Sequence, residues 1–350
     1  MIDLYAMTEE ELSSFLTSLG EPRFRAKQVY AWLSSGTPIA EMSNLPLSLR
    51  EKLSAACTDT LPKVEKKLVS QIDGTVKYLF ALHDGECVES VLMRYKHGNT
   101  LCISSQVGCR MGCRFCASTI GGRVRDLLAS ELLGQVIAAE RDSGERISNI
   151  VMMGIGEPLD NYDNVIRFLK LVGGKNGLNI GYRHISLSTC GVVPGILKLA
   201  EEALPITLSI SLHASDDETR SALMPVNNKW PIDQLLAACV EYYKKTRRRI
   251  SFEYTLIAGK NDTEEGARAL AARLKAAFRG TNAPLHVNLI RVNAVEETGM
   301  KQGSVEGANR FADILNSLGV VATVRRRLGS DVNAACGQLR RASGGKGREN

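Results

Sequence analysis

Residues 100–118 read TLCISSQVGCRMGCRFCAS, and the organisation of the chain can be worked out from them in both directions. The stretch begins with apolar and β-branched residues at 100–105, which is typical of a strand. It then enters a glycine-containing loop that carries Cys109, Cys113 and Cys116. A chemically reactive loop directly after a strand is typical of βα repeat proteins, whose sites lie at the carboxyl ends of parallel strands.

Strand and helix patterns alternate from residue 99 onward. The predicted strands are 100–105, 147–153, 184–188, 206–212, 250–257 and 286–292, and the predicted helices include 130–141, 194–203, 232–245, 263–278 and 305–318. Six successive βα units predict an α/β fold with a parallel sheet that curls into a partial (βα)6 barrel. A doubly wound sheet is the alternative that this alternation leaves open.

Two smaller regions precede the repeat. Thr8 and Glu11 form a capping-box pattern ahead of an apolar helical face, and further helical patterns follow to about residue 60. Alternating segments on either side of Asp84 and Gly85 predict a β-hairpin. The predicted regions are a helical accessory domain (1–70), a hairpin extension (71–98), the barrel core (99–325) and a C-terminal loop with a basic tail (326–350).

The composition narrows the class of protein. The chain has 350 residues, of which 44% are apolar and 23% charged, so a folded chain is expected rather than a disordered one. No apolar run approaches the roughly 18 residues of a membrane-spanning helix, and MIDLYAMTEEEL lacks the pattern of a signal peptide. The nine cysteines favour metal or redox chemistry over a disulfide framework. We therefore expect a cytoplasmic protein without a membrane anchor.

The positive charge is unevenly distributed. The net charge is +6, and residues 325–350 hold seven basic and two acidic residues. A second basic run, at 244–249, contains two lysines and three arginines. Solvated helix ends and tails often have this composition, but such clusters also contact nucleic-acid backbones. Both the run at 244–249 and the triplet at 325–327 are therefore candidates for contact with nucleic-acid phosphates.

The three cysteines of the loop have the spacing CxxxCxxC. Thiolates bind zinc or iron–sulfur clusters, and a structural zinc site requires four ligands. His97 and Cys102 are near the loop in sequence and could supply a fourth ligand, which keeps a zinc knuckle as one alternative. Three thiolates on a four-iron cluster would leave one iron open to a small molecule.

This pattern at the end of the first strand resembles the radical S-adenosylmethionine (SAM) superfamily. Further motifs resemble one of its families, the adenine C2 methyltransferases of 23S ribosomal RNA, from about residue 89 to residue 340. These motifs are CISSQVGC at 102–109, MGIGEPL at 153–159, LST at 187–189, SLH at 211–213, NLIRVN at 288–293 and AACGQL at 334–339. The resemblance implies a 4Fe-4S cluster held by the three loop cysteines, and two molecules of SAM per turnover.

The resemblance also implies a route by which an electron-poor carbon can be methylated. One SAM methylates Cys336, a radical from a second SAM activates that methyl group, and the activated group adds to adenine C2. Cys102 then resolves the adduct between protein and RNA and forms a disulfide with Cys336. Glu89 occupies the family position of the proton acceptor, a role that a carboxylate can fill.

The positions that match SAM contacts in the family follow the predicted strands. They are Gly156, Glu157, Ser188, Ser211, Leu212, His213 and Asn293. Glycine lets a ligand approach the backbone closely, and a carboxylate can pair with the ammonium group of SAM. Cys57, Cys87, Cys190 and Cys239 are interpreted as buried packing residues.

The implied partners are 23S ribosomal RNA, some transfer RNAs, and an electron donor such as flavodoxin or ferredoxin; we expect a monomer. Two alternatives remain. An adenine C8 methyltransferase would share the cluster and both reactive cysteines. Pro158 resembles the C2 type, whereas Arg291 resembles the C8 type. The second alternative is an RNA-binding protein with a structural metal knuckle and no catalysis.

Overall fold

The computed structural model describes residues 2–58, 60–292 and 299–332. Its N-terminal module contains the helices α1 (Glu9–Ser18), α2 (Phe24–Ser34) and α3 (Leu47–Ala56), with two short parallel strands, β1 (Ile2–Asp3) and β2 (Cys57–Thr58). The capping box is confirmed: the Glu11 amide donates to Thr8 Oγ1, and the Thr8 amide donates to Glu11 Oε2 at 2.8 Å. These reciprocal bonds satisfy two amides that the start of a helix leaves without partners.

One ten-stranded sheet organises the rest of the chain. Its strands are β3 (Lys63–Val69), β4 (Val76–Ala81), β5 (Cys87–Tyr95), β6 (Gly98–Cys102), β9 (Ile147–Met152), β10 (Ile185–Thr189), β11 (Thr207–Ser211), β12 (Ile250–Leu256), β13 (His286–Arg291) and β14 (Val321–Val324). Strands β3 to β6 are antiparallel, and β6 begins a parallel series that runs through β9 to β14. A separate small hairpin, β7 (Gln106–Gly108) and β8 (Arg123–Asp126), flanks the cysteine loop.

Helices connect and cover the parallel strands. They are α4 (Ala129–Ser143), α5 (Tyr162–Val172), α6 (Val193–Glu201), α7 (Asp217–Leu223), α8 (Ile232–Thr246), α9 (Glu264–Ala277) and α10 (Val305–Ser317). Their apolar faces and the outward side of the sheet form the main core, to which Val136, Phe168 and Leu274 belong. The parallel α/β fold and the predicted hairpin are confirmed. No helix in the described ranges has the length and apolarity needed to cross a bilayer.

The parallel sheet curves around an interior. Side chains from β9, β10, β11, β12, β13 and the residue after β14 line a single cavity, which a flat sheet could not bring together. The two edges of the sheet are also linked, since Asp331 accepts from Ser70 Oγ at 2.7 Å and from the Gln71 amide. The curvature is that of the expected partial barrel.

The structure corrects two details of the predicted organisation. Residues 63–69 form strand β3 instead of the end of a helical region, so the antiparallel extension begins earlier than expected. The parallel series also has a seventh strand, β14, which the sequence pattern did not indicate. It has only four residues, and two of them, Val321 and Thr323, are exposed. Such a strand carries too little hydrophobic periodicity to be recognised.

Candidate functional site

A cavity of about 230 Å³ opens at the carboxyl ends of the parallel strands. Its wall is formed by the cysteine loop and by residues at the strand ends. The predicted site residues that line it are Cys109, Cys113, Cys116, Gly156, Glu157, Ser188, Ser211 and His213. The fold thus brings these predicted residues together, although Cys109 and His213 lie 104 positions apart in the sequence. This is expected for a βα repeat, whose strand ends meet at one site.

The cysteine loop is held by backbone hydrogen bonds on both sides. The Cys109 amide donates to Gly122 O at 3.0 Å, and the Arg114 amide donates to Leu223 O at 2.9 Å. Gly108 has a φ of 76°, and a Cβ there would lie 2.0 Å from Gly122 O, so only glycine allows this approach. The loop is therefore fixed to the β7–β8 hairpin and to the end of α7.

The three thiols fit an iron–sulfur cluster better than a single metal ion. Burial raises the pKa of the Cys109 thiol to about 12 and raises that of Cys113 further, so cationic metal is needed to favour their thiolates. Within the described ranges, no three His, Cys, Asp or Glu side chains are arranged to hold one metal ion. A cluster takes each thiolate on a different iron atom, so its ligands need not converge on one point.

Neither of the proposed fourth zinc ligands reaches the loop. His97 stacks on Tyr95, with ring centroids 5.2 Å apart. Cys102 is buried at the end of β6 among Val91, Met93 and other apolar side chains. Among the described residues, the zinc-knuckle alternative therefore lacks the ligand set that it requires.

Gly156 and Glu157 lie after β9, at the base of the cavity. Gly156 has a φ of 109°, and a Cβ there would lie 2.6 Å from the Gln106 amide nitrogen. The Glu157 carboxylate accepts from the Cys190 amide at 2.7 Å and from the Leu159 amide at 3.1 Å. Burial raises the pKa of Glu157, although these hydrogen bonds oppose that effect. Glu157 thus links the segment after β9 to the end of β10. The remaining lone pairs of its carboxylate could accept hydrogen bonds from a ligand.

His213 has an unusual backbone conformation that is fixed by its surroundings. Its φ is 57°, a region that non-glycine residues rarely adopt. The Thr255 amide donates to His213 Nδ1 at 2.9 Å, and Asn261 Nδ2 donates to His213 O at 2.7 Å. Burial, and then the charge of Arg220, lowers the pKa of His213 to about 3. The ring is therefore neutral, with its proton on Nε2.

Leu212 differs from its neighbours in the SLH motif. Its side chain is fully buried in the main core and does not line the cavity. Its backbone amide donates to Glu253 O at 3.0 Å, and its carbonyl accepts from Arg220 Nε at 3.0 Å. Any role for Leu212 toward a ligand is therefore limited to its backbone.

Arg220 is a buried cation that joins the strand ends behind the cavity. Besides the bond to Leu212 O, it donates to Cys190 O at 2.7 Å, to Ser211 O at 3.2 Å and to Asn227 Oδ1 at 2.9 Å. These carbonyl partners satisfy a guanidinium that is fully buried. Arg220 holds the ends of β10 and β11 in a fixed relation.

Several cavity residues were missed by the sequence reasoning. Cys190, interpreted as packing, lines the wall beside Glu157, and Glu253 and Thr255 line it from β12. Arg325, predicted only as a phosphate contact, lines it directly after β14. The Glu253 carboxylate is 4% exposed and accepts from Asn288 Nδ2 at 2.7 Å. The available signal was the sequence ISFEYTL at 250–256, where a glutamate interrupts a mainly apolar strand.

Cys102 and Glu89 lie on the inner face of the sheet, next to the cavity but not in its wall. Cys102 packs with Met153, which does line the cavity. Glu89 is buried, with 1% of its surface exposed. Its carboxylate forms an ion pair with Lys77, at 3.0 Å between Oε2 and Nζ.

The two remaining predicted residues, Asn293 and Cys336, lie outside the described residues. The segment at 325–332, which leads toward Cys336, is fastened to the turn between β3 and β4. Asp331 accepts hydrogen bonds from Ser70 and Gln71, as described above. In addition, the Gly329 amide donates to Asp73 Oδ2 at 2.8 Å. The described part of this segment ends at Val332, four residues before Cys336 in the sequence.

The two basic segments lie at opposite ends of the parallel sheet. The run at 244–249 joins the end of α8 to the start of β12, so it lies at the amino ends of the strands. Lys244 and Lys245 are paired there with Glu241 and Glu201. The triplet at 325–327 follows β14 and lies at the carboxyl end, beside the cavity.

Two family models match the chain. The model described as the radical SAM superfamily matches residues 103–271. The model described as the ribosomal RNA large subunit methyltransferase N-terminal domain matches residues 2–58, which is the helical module.

Individual proteins match nearly the whole chain. The chain is 52% identical over 343 residues to a "Probable dual-specificity RNA methyltransferase RlmN" of Clostridium botulinum, covering 98% of this chain and 97% of that protein. It is 52% identical over 341 residues to the protein of the same name from Alkaliphilus oremlandii, covering 97% and 98%. The crystal structure of a radical SAM methyltransferase from Sphaerobacter thermophilus superposes with a TM-score of 0.90 and 41% identity, covering 97% of this chain and 99% of that one. The chain therefore belongs to the RlmN family of radical SAM RNA methyltransferases.

Proposed function

We propose that this chain methylates C2 of an adenine in 23S ribosomal RNA and of an adenine in some transfer RNAs. The observation that carries the proposal is the single cavity that unites the three loop thiols with the strand-end residues matching SAM contacts. The relatives named dual-specificity RNA methyltransferases, at 52% identity over nearly the full length, support the same two classes of substrate.

The cofactors of this family are a 4Fe-4S cluster and SAM. Cys109, Cys113 and Cys116 would hold the cluster, which when bound supplies the electron that cleaves SAM. Glu157, Ser188, Ser211 and the Nε2–H of His213 would orient SAM in the cavity. Their positions are fixed by buried backbone hydrogen bonds, so little reorganisation is required on binding.

Three further residues would perform the transfer to RNA. Cys336 would carry the methyl group, Cys102 would resolve the adduct as a thiolate, and Glu89 would accept the proton from adenine C2. The support from the structure is the shared inner face of Cys102 and Glu89, and the docking of residues 325–332 against the β3–β4 turn.

RNA would approach the carboxyl end of the sheet. Arg326 and Arg327 are exposed there, next to the cavity. The helical module has no excess of positive charge, so these arginines are the better candidates for phosphate contacts. We further expect an exchangeable electron donor such as flavodoxin or ferredoxin, a monomeric enzyme, and a cytoplasmic location where the disulfide can be reduced again.

The proposal is tested by mass spectrometry of protein incubated anaerobically with SAM. Proteolysis after Arg327 and Arg340 releases the peptide at 328–340, which contains Cys336 as its only cysteine. We expect one methyl group on this peptide, and none on the corresponding peptide of Cys336→Ala. An unmodified Cys336 in cluster-loaded protein would contradict the proposed route.

Cys102→Ala is the matched variant for the second half of the route. It should retain the methyl group on Cys336 and accumulate a covalent complex with RNA, because the adduct forms but is not resolved. Release of methylated RNA at the wild-type rate would remove Cys102 from the mechanism.

A further inference from the structure

The inner face of the antiparallel extension contains a buried ion pair. Lys77 and Glu89 are 0% and 1% exposed, and their charged atoms lie 3.0 Å apart. Lys77 is the only fully buried lysine among the described residues. By contrast, Lys67 on the neighbouring strand pairs with Asp142 at a partly exposed position.

Stability alone is a weak explanation for this pair. Two charges lose their hydration when they are buried, and apolar side chains of similar size often stabilise a protein equally well. Strand β4 is otherwise apolar on this face, where Leu79 follows Lys77 by two residues and is fully buried. A lysine at this position therefore calls for a role beyond packing.

The strand register places Lys77 in line with the reactive groups. Lys77 pairs with Val91 across β4 and β5, and Val91 pairs with Cys102 across β5 and β6. Glu89 is the diagonal neighbour of Lys77 on β5, two residues before Val91, at the spacing where long side chains of adjacent strands meet. Lys77, Glu89 and Cys102 thus share one face.

The C-terminal segment approaches the same face, where Leu328 packs against the cluster of Val91 and Cys102. Gly329 is bound to Asp73, which lies four residues before Lys77 in the chain. Ser104 Oγ donates to Glu89 O at 2.6 Å, which fixes the backbone of Glu89 against the end of β6. The ion pair therefore lies between the docked segment that leads to Cys336 and the strand that carries Cys102.

We propose that Lys77 is a positioning residue for Glu89: its ammonium group balances the buried charge of the carboxylate and directs it toward the target adenine. This inference rests on the proposed function. In the step concerned, the C2–H bond of the adduct breaks and its proton passes to Glu89. The electron pair of that bond restores the aromatic ring, while the unpaired electron of the ring passes to a one-electron acceptor of the iron–sulfur class.

The test compares Lys77→Met with Lys77→Arg, which keeps the charge, and with Lys67→Met, which breaks the exposed pair on the neighbouring strand. We expect Lys77→Met to reduce RNA methylation at least about tenfold, since a positioned base contributes roughly 100-fold or more. Methylation of Cys336 should remain near the wild-type level, because that step does not use Glu89. Lys77→Arg should recover most of the lost rate of RNA methylation. Lys67→Met should methylate RNA at the wild-type rate.

A double variant shows whether Lys77 acts through Glu89. We expect Lys77→Met/Glu89→Gln to be no slower than Glu89→Gln alone, because residues that act as one unit give non-additive losses. Losses that multiply, or equal losses in Lys77→Met and Lys77→Arg, would overturn the inference. So would a rate for Lys77→Met within twofold of that of Lys67→Met.

Two controls keep these outcomes distinct. Lys77→Gln keeps a hydrogen-bond donor without charge, and it replaces Lys77→Met if that variant fails to melt cooperatively; a wild-type rate in Lys77→Gln would also overturn the inference. Absence of a methyl group on Cys336 in the wild-type protein would instead mean that the proposed function itself is wrong.

Discussion

The two ends of the parallel sheet carry similar basic segments but very different surroundings. At the carboxyl end, the triplet at 325–327 adjoins a cavity that contains three thiols and two buried carboxylates, Glu157 and Glu253. At the amino end, the run at 244–249 is partly neutralised by Glu241 and Glu201 on neighbouring helices. The amino-acid composition of the two segments does not distinguish them, but the direction of the strands and the neighbouring acidic residues do.

The difference shows where single substitutions should change the stability of the protein most. Residues at the carboxyl end satisfy one another through buried hydrogen bonds, so that the removal of one group leaves another without a partner. Residues at the amino end form exposed ion pairs, which contribute little to stability. Substitutions should therefore have large effects at the first end and small effects at the second.

The largest contrast is expected for cysteine variants. Cys113→Ser should abolish iron–sulfur binding and RNA methylation, because it removes one of three thiolate ligands. Cys239→Ser, in the fully buried core of α8, should retain the cluster. Iron and sulfide content and the visible absorption spectrum of anaerobically purified protein measure the effect. A full complement of iron in Cys113→Ser would break the assignment.

The second-largest effect is expected at Glu157, the buried carboxylate that links β9 to β10. Glu157→Ala should lower the free energy of unfolding by about 2–5 kcal/mol, since the amides of Cys190 and Leu159 both lose their acceptor. Glu241→Ala, which removes an exposed ion pair at the amino end, should leave stability nearly unchanged. Urea unfolding measures both, and equal losses would show that the two ends do not differ in this respect.

A pH effect of similar or smaller size should come from His213. Its pKa is lowered to about 3 by burial and by Arg220, while the unfolded residue takes up a proton below about pH 6.5. The unfolded state therefore binds more protons in this window, and stability falls as the pH falls. At pH 4.5 the loss should be roughly 2–3 kcal/mol.

Histidine variants at the two ends of the parallel sheet test this pH dependence of stability. His213→Asn should show a smaller loss of stability between pH 7 and pH 4.5 than the wild-type protein. His286 lies at the amino end and is partly exposed, and burial lowers its pKa as well, so His286→Asn should have a weaker effect. An unchanged pH dependence in His213→Asn would contradict the buried, neutral ring.

The smallest effect is expected for RNA binding. Arg326→Glu/Arg327→Glu should weaken binding several-fold and flatten its salt dependence by about one unit for each phosphate that the protein no longer neutralises. Arg247→Glu/Arg248→Glu, at the amino end, should change neither quantity. Binding isotherms at several salt concentrations measure both variants. Equal losses of affinity would mean that RNA binds at both ends of the sheet.

Features encoded locally could be predicted from the sequence. The spacing of Cys109, Cys113 and Cys116 identified the loop, and the βα alternation placed it at the carboxyl end of a strand. The capping box of Thr8 and Glu11 was also local, because its partners lie three residues apart. In each case the interacting residues are close in the chain or share a repeating pattern.

Features that depend on register and curvature could not be predicted. The pairing of Lys77 with Glu89 requires the alignment of β4 on β5, which no local pattern specifies. The sequence alone indicates a packing role for Cys190, because its position in the cavity wall depends on how the end of β10 lies beside Glu157. The position of the basic run at 244–249 likewise followed only from the direction of β12.

The central claim is that this enzyme methylates adenine at C2, and the nucleoside product tests it most directly. Protein-free 23S ribosomal RNA is incubated anaerobically with the cluster-loaded enzyme, SAM and a reductant, then digested and separated by liquid chromatography with mass spectrometry. The account predicts 2-methyladenosine, absent when Cys336→Ala is used. Detection of 8-methyladenosine, or of no methyladenosine from enzyme that carries a methyl group on Cys336, would contradict it.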